Sequence, residues 1–419
     1  KLKAAREAGV DPSEMRMEEV VEGFSKEVYW VKNAGENELE VPMFLRPTSE
    51  TAMYTLFPLW IRSHADLPLK IYQVVNTFRY ETKQTRSFIR VREIHFFEAH
   101  TAHVDEEDAT KQIEEDLQIV DNLMNELGLT VLKTRRPVWD TFPGAWYTIA
   151  IDVIMPDGRT LQIASCHHYR DQWAQAFDVK YEDINGDQKY VHQTTYGMSE
   201  RLMGAVIGIH GDEKGVVFPP RVAPTQIVIV PILIKDRQNE VMEASIETKN
   251  RLLESGFRVV IDDRDVRPGQ KYYDWEIKGV PLRIEIGPRD LDNETVLLVS
   301  RDGIKNSTKI RELEIGVKDA LNEFTSRIGK KARDEYENTV KELPELIKIN
   351  DEKWEFSEEI EKGLVYEMPF DGSDAQAQVI EDMSGLSFLG EAMQSYQKEK
   401  SCIITGNKTK KRVYLARTY

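Results

Sequence analysis

FRYETKQTRSFIRVREIHFFEAH, residues 78–100, reads as two apolar strands around a charged turn. A hairpin is the economical structure for that pattern. It opens with Arg79 and Glu81, returns with Arg90, Arg92 and Glu93, and closes on Phe96, Phe97, Glu98 and His100. Such a hairpin holds guanidiniums and carboxylates at fixed places on a sheet face. The planar fork of arginine matches phosphate oxygens two at a time, which lysine does not do. The same residues also fit a surface hairpin with paired salt bridges, so the surrounding chain has to decide.

Working outward, Lys1–Lys32 begins with a helical pattern and ends in the strand-like EVYWV. In RPTSE, Pro47 sets an extended entry to Thr48, Ser49 and Glu50. Thr48 also suits an N-cap for a mostly apolar helix over Thr51–His64. Leu69–Val75 is a strand feeding the hairpin. Downstream, Asp105 starts a helix whose apolar residues Ile113, Leu117, Val120, Met124 and Leu127 recur every three or four positions, ending at Gly128. YTIAIDVIMP and RTLQIASCHH then flank an Asp157-Gly158 turn. Further strands follow without long intervening helices, which implies an antiparallel sheet. TYGMSERLMGAVIGIHGD turns helical, with Ser199 and Arg201 at its start.

The pattern changes after VVFPPRVAP, residues 216–224. Ile227–Leu233, Phe257–Ile261, Leu282–Ile286 and Val296–Val299 read as strands. Asn239–Leu253 and Tyr273–Lys278 read as helices. That alternation predicts a small α/β domain with a largely parallel sheet. A last helix starts near Lys309, and the charged stretch from Lys330 reads as helical to about Ile349. SCIITGNKTKKRVYLARTY closes the chain as a hairpin.

The 419 residues suffice for two or three domains, and 41% hydrophobic with 31% charged residues suits a globular protein. No apolar run is long enough to span a membrane. The start does not look like a signal peptide, and without an initiator Met a preceding segment is expected. Two cysteines, Cys166 and Cys402, exclude a disulfide framework and point to a reducing compartment. A net charge of -16 argues against a nucleic-acid coat. It leaves room for a local basic site, because screening limits repulsion to about 10 Å.

The chemistry turns on whether Arg79, Glu81, Arg90, Gln162, His167 and Arg201 converge. Arginines on one sheet face without an evident nucleophile suit phosphoryl or nucleotidyl transfer, which needs positioning and charge stabilisation. The chain has neither GxxxxGK[ST] nor a GxGxxG after a strand, so P-loop and dinucleotide folds are excluded. Successive strand residues point to opposite faces, so His167 and His168 do not readily share a metal ion. The Asp262–Asp265 run DDRD and the Lys408–Arg412 run KTKKR read as a solvated loop and a hairpin turn.

RPTSE, FRYE followed by RSFIRVRE and FFEAH, SCHH, and YGMSER followed by HGDEKGVVFPPRVAP resemble the class II prolyl-tRNA synthetases of the archaeal and eukaryotic type. GVPLRIEIGPRDL resembles that family's anticodon-binding domain, and the terminal ARTY its C-terminal end. The resemblance implies a multidomain α/β and α+β chain. Residues 1–222 would form the antiparallel-sheet catalytic domain, with the first class motif upstream of Lys1. Residues 223–329 would form the α/β anticodon-binding domain and 330–419 a small α+β C-terminal domain. It implies activation of L-proline by ATP and transfer to tRNA(Pro), in the cytoplasm, by a homodimer without membrane attachment.

By the same resemblance Arg79 meets the α-phosphate and the proline carboxylate. Glu81, Arg90, Val91, Gln162, Ser165, Ser199 and Arg201 serve ATP, with Mg2+ bridging its phosphates. Thr48, Glu50 and His167 serve proline, with Phe96, Glu98 and His100 beside them. A secondary ammonium with two N–H donors suits an acidic anchor such as Glu50 and a hydroxyl such as Thr48. Arg283, Glu285 and Arg289 are the expected anticodon contacts, where an Arg fork would read a guanine edge. Arg301, Lys305, Lys309 and Arg311 add a local basic island.

Some relatives hold zinc in the C-terminal domain with four cysteines. Here Cys402 stands alone there, with Asp371 and Gly406 near the other positions, so no structural zinc is expected. The gap from His100 to Tyr196 is too short for the bacterial editing insertion. Two rivals remain: a silent synthetase paralogue that binds tRNA as a regulator, and a synthetase for another amino acid. The first should lose motif arginines or pocket residues. The second, if for threonine, should carry an active-site metal.

Overall fold

The computed structural model describes residues 28–348 and 354–419. The helical pattern expected before residue 28 lies outside them. The described chain divides into two compact units. One runs to Val120, resumes from Val131 to Ala205, and ends with Thr339–Tyr419; the other holds Asp121–Thr130 and Val206–Asn338.

The first unit is organised on a ten-stranded sheet. From one edge the strands run Leu69–Phe78, Glu93–His103, His192–Ser199, Thr160–Arg170, Tyr147–Ile154 and Val131–Arg135. Each of these neighbours pairs antiparallel, including Glu93–His103 with His192–Ser199, which are not consecutive in the chain. The hairpin lies further upstream than expected: Leu69–Phe78 pairs with Glu93–His103, and Arg79–Arg92, where the first strand was expected to open, is the connecting loop. Beyond Val131–Arg135 the sheet continues through Ser387–Ala392, Arg412–Ala416, Val365–Pro369 and Val340–Glu342. The C-terminal segment therefore extends the same sheet. Gly390 makes this approach possible: at φ +105° it sits where a Cβ would stand 2.1 Å from the Arg135 carbonyl.

The helix expected over Thr51–His64 is instead two single turns, Glu50–Met53 and Phe57–Trp60. Pro58 explains the break, because a continuous helix would need its missing N–H and would clash with the preceding turn. Tyr54, Phe57 and Ile61 pack with Tyr169, Trp173 and Tyr181 into a core against the sheet.

The second unit has a five-stranded sheet flanked by the helices Gln238–Glu254 and Leu313–Thr339. Ile227–Pro231 pairs parallel with Val259–Ile261 and Leu282–Ile286. Thr295–Ser300 and Lys305–Lys309 add antiparallel pairs, so the sheet is mixed where a largely parallel one was expected. The connection Gly287–Glu294 is too short for a parallel crossover, which takes about a dozen residues. The long helix stops at Thr339, short of the expected Ile349. Val340–Glu342 pairs parallel with Val365–Glu367 instead, and Pro344 disfavours helix at Leu343.

Candidate active site

One face of the antiparallel sheet forms the floor of a cavity of about 370 Å³. Register assembles it. Thr148 lies opposite His167, His167 opposite Thr195, and Thr195 opposite His100. Residues two apart on a strand share a face, so Ser165 joins His167, and Phe96 joins Glu98 and His100. A register shift between Ile151 and Asp152 then places Gln162 opposite Asp152. Such a bulge reverses the alternation and re-aims the side chain beyond it. Gln162 thereby lines the same cavity as Ser165 and His167. Gly197 leaves room for the Phe96 ring, since a Cβ there would come within 2.7 Å of it.

At one end of the cavity stands Glu50, only 1% exposed. Its Oε2 accepts from the Thr48 hydroxyl, and its Oε1 accepts from the Tyr169 hydroxyl at 2.9 Å. Ser49, not Thr48, is the helix N-cap residue, and it makes no side-chain cap bond. Behind Thr48 lies Glu98, fully buried. It accepts from the Ser49 amide at 3.3 Å and from Gln73 at 3.0 Å, and lies 3.3 Å from the Thr48 hydroxyl oxygen, whose single proton goes to Glu50. Burial alone would raise the Glu98 carboxyl. The His100 imidazole, with Ser49 and Gln73, outweighs burial and holds it below its ordinary range.

His167 bridges two hydroxyls, Thr148 at 2.9 Å and Ser165 at 3.1 Å. The Phe142 ring lies over it with centroids 4.4 Å apart. Burial, together with Arg79 and His100 nearby, pushes its pKa down to about 3, so it is neutral near pH 7. A neutral imidazole donates from one ring nitrogen and accepts at the other.

Arginines line the cavity as well. Arg79 donates to the Pro47 carbonyl at 3.0 Å. Arg201 donates to the carbonyls of Ile89 at 2.8 Å and Gln162 at 3.4 Å. Burial and the charges of Arg79 and Arg90 lower the Arg201 pKa. Gathering these cations favours an anionic ligand. Arg136, anchored on Asp152, reaches the Gln162 side-chain oxygen at 3.5 Å. A guanidinium has only donors, so it turns the Gln162 oxygen toward itself and leaves the amide N–H groups for the cavity.

Of the residues singled out in sequence, Thr48, Glu50, Arg79, Glu81, Val91, Phe96, Gln162, Ser165, His167, Ser199 and Arg201 line this cavity together. Arg90 stands behind it, paired with Glu81 at 2.7 Å. Glu98 and His100 lie beneath it, both fully buried. Sequence reasoning missed Arg136, Trp139, Phe142, Thr148, Thr195 and Glu200 in the lining, and Tyr169 behind Glu50. Thr148 and Thr195 were findable from strand alternation; Trp139 sits in the single 3-10 turn Val138–Asp140 and Phe142 in the loop after it, too short for a periodic signal.

In the second unit Arg283 and Glu285 pair with each other at 3.0 Å, and the Arg283 guanidinium lies 3.7 Å above the Tyr272 ring. Arg289 is exposed. The basic island is dispersed: Arg301 is buried on Asp212 and Lys309 donates to the Asn293 carbonyl. The DDRD run is a solvated loop at Asp263, Arg264 and Asp265, while Asp262 is buried and accepts from Arg264 and Trp275. Among the described residues no group of three or more His, Cys, Asp or Glu is arranged to hold a metal ion. Asp371 instead accepts from Thr405 and Asn407, and its amide donates to the Cys402 sulfur.

Residues 29–210 match the family described as tRNA synthetase class II core domain (G, H, P, S and T). Residues 226–327 match an anticodon binding domain and 354–419 the C-terminal domain of prolyl-tRNA synthetase. The proline--tRNA ligase of Methanosarcina mazei is 47% identical over 97% of this chain and 83% of the relative. That of Thermococcus kodakarensis is 48% identical over 96% of this chain and 83% of the relative. The solved prolyl-tRNA synthetase of Giardia lamblia, in complex with prolyl-adenylate, has a TM-score of 0.88 at 33% identity, covering 98% of this chain and 86% of that one. The enzyme of Cryptosporidium parvum, complexed with halofuginone and AMPPNP, has a TM-score of 0.85 at 34% identity, covering 97% and 85%.

Proposed function

This chain belongs to the class II prolyl-tRNA synthetases, and we propose that the cavity on its antiparallel sheet is where proline meets ATP. The enzyme activates L-proline with ATP to prolyl-adenylate and transfers the prolyl group to the 3′ end of tRNA(Pro), releasing AMP and pyrophosphate. The observation that carries the site reading is the shared cavity: a buried carboxylate between two hydroxyls and the guanidiniums of Arg79 and Arg201 line one space.

In this reading Glu50 accepts the N–H groups of the proline ammonium. Thr48 fixes the carboxylate, while Phe96, Phe142 and the neutral His167 wall the ring. The proline carboxylate attacks the α-phosphorus in line, a new O–P bond forms, and the bond to pyrophosphate breaks. Two anions approach each other in that step. Arg79 offsets their repulsion, and Arg201 holds the outer phosphates. Gln162, Ser165, Ser199 and Val91 flank the nucleotide, and Glu81 is fixed for it by Arg90. Glu98 and His100 act from behind, through Thr48 and Ser49. In the second step a ribose hydroxyl of the terminal tRNA adenosine attacks the prolyl carbonyl and AMP leaves.

Mg2+ bound with ATP supplies charge neutralisation on the phosphates. The residues present fit it: Glu200 lines the cavity with a buried carboxylate oxygen that has no hydrogen-bond partner among the described residues. One carboxylate plus substrate phosphates is an ordinary Mg2+ setting. We assign anticodon recognition to the second unit, with exposed Arg289 as the reading group and the paired Arg283 and Glu285 as its support. The catalytic, anticodon and C-terminal roles follow residues 1–222, 223–329 and 330–419.

The homodimer and the cytoplasmic location belong to the same reading. Two buried free thiols suit a reducing compartment, and no described helix is long and apolar enough to cross a membrane. Tyr72 and Val74 stand 72% and 71% exposed on the outermost strand of the sheet, a face a second copy would cover. Light scattering of Val74→Arg that still gives a dimer would sink that assignment. Recovery of the protein in a membrane or extracellular fraction would sink the location.

ATP–pyrophosphate exchange over a panel of amino acids that includes cysteine and alanine tests the function. Proline should dominate, and Arg79→Ala should lower its rate on the order of 100-fold. Parental exchange in Arg79→Ala would remove Arg79 from the mechanism.

A further inference from the structure

The strand Thr160–Arg170 places Ser165, His167 and Tyr169 on one face by alternation. Tyr169 is fully buried. Its ring stacks on His167 at 6.2 Å and packs against Trp173 at 5.4 Å. Its hydroxyl reaches beneath the cavity and donates to Glu50 Oε1 at 2.9 Å. Thr48 occupies the other oxygen of the same carboxylate. Among the described residues, neither of these partners is a cation.

We propose that Tyr169 is a positioning residue for amino-acid specificity, holding Glu50 in the one orientation that matches a secondary ammonium. The proposal rests on the reading of Glu50 as the amine anchor. An ionised carboxylate has roughly four lone-pair sites. Two are taken by Tyr169 and Thr48, one on each oxygen, which leaves one on each for the ligand. Proline brings two N–H donors on a rigid ring and fills them. A primary ammonium brings three donors on a freely rotating bond, and its third finds no place on this carboxylate. Burial, then the neighbouring Glu50 charge, raises the Tyr169 hydroxyl well above its ordinary range, so it stays a donor at working pH. Without that hydroxyl the carboxylate can swing to follow a primary amine.

Tyr169→Phe removes one oxygen and keeps the ring packing. In pyrophosphate exchange its KM for proline should rise on the order of ten-fold, the scale of one hydrogen bond to a charged group. The KM for ATP and the thermal transition should stay at parental values, and the proline-to-alanine ratio of kcat/KM should fall. An unchanged KM for proline overturns the proposal. Calorimetric proline binding to Glu50→Gln, alone and with Tyr169→Phe, completes a cycle that needs no turnover. If Tyr169→Phe costs nothing further once Glu50 is gone, the tyrosine acts through that carboxylate. If the two losses add, the proposal fails even where the variant's stability has moved. Parental proline affinity in Glu50→Gln alone would instead refute the anchor reading, a result distinct from a silent Tyr169→Phe.

Discussion

The Arg136 guanidinium grips both carboxylate oxygens of Asp152 at 2.9 Å. The same side chain donates to the Leu389 carbonyl at 3.0 Å, a contact spanning 253 residues. One buried cation thus joins the C-terminal strands to Tyr147–Ile154, the strand that carries Asp152.

Removing that cation alone strands a buried carboxylate. Arg136→Ala should cost about 3–5 kcal/mol in denaturant unfolding. The double variant Arg136→Ala with Asp152→Ala should recover part of the loss. Equal loss in single and double variants would show that the pairing does not carry the stability.

His167 and His168 give the fold an acid-side weakness. Burial leads both shifts, to about 3 and about 4, against an ordinary value of 6.5. Above pH 6.5 both imidazoles are neutral, folded or unfolded, and their contribution is complete. As pH falls through that value the unfolded chain takes up protons that the folded chain refuses. Each site then lowers stability by about 1.4 kcal/mol per pH unit, down to its folded pKa. His167→Gln should flatten this slope between pH 6 and about 4 in urea titrations. An unchanged slope would contradict the assignment.

Arg289→Ala separates the two halves of the reaction. It should leave proline-dependent pyrophosphate exchange intact and reduce charging of tRNA(Pro), by about 1–3 kcal/mol for a lost base contact. Charging that is unchanged, with normal and anticodon-altered tRNA alike, would remove Arg289 from the interface.

Gly197→Ala should fill the space beneath Phe96. The Cβ would meet the ring at 2.7 Å, so the ring must shift, and the cavity it lines is open space beside it. A cost of about 1–3 kcal/mol in stability and a raised KM for proline are expected, with the KM for ATP less affected. Parental proline kinetics would mean the ring yields in another direction.

The antiparallel sheet was legible from successive strands without long helices between them, and eleven of the cavity-lining residues from motifs that resemble the synthetase family. Phe96, Glu98 and His100 share a face by spacing alone, and the cavity has Phe96 in its lining with the others directly beneath. Gln162 came from the motif resemblance; alternation alone would have turned it to the other face, because a bulge at Ile151 and Asp152 reverses it and bulges leave little local signal. Arg136 was illegible, since its Leu389 acceptor lies 253 residues away. Tyr169 looked like one more strand aromatic until Glu50, 119 residues earlier, came within hydrogen-bond reach. The two helix errors have a different origin. Pro58 lacks the N–H that a continuous helix needs, and Pro344 disfavours helix at Leu343 before it; both outweighed the apolar and charged patterns around them.

The ten-stranded sheet also sets a timetable. Val131–Arg135 is paired on one side by Tyr147–Ile154 as soon as both exist, but its other side waits for Ser387–Ala392. On the ribosome, at roughly 5–20 residues per second, that wait is on the order of ten seconds or more. Throughout it the strand is an open edge, able to pair with the wrong chain. The nascent protein is therefore most exposed to misassembly after the strands from Leu69 to Ser199 are made and before its final strands arrive. Closing contacts between residues so distant in sequence is the slow kind of folding step.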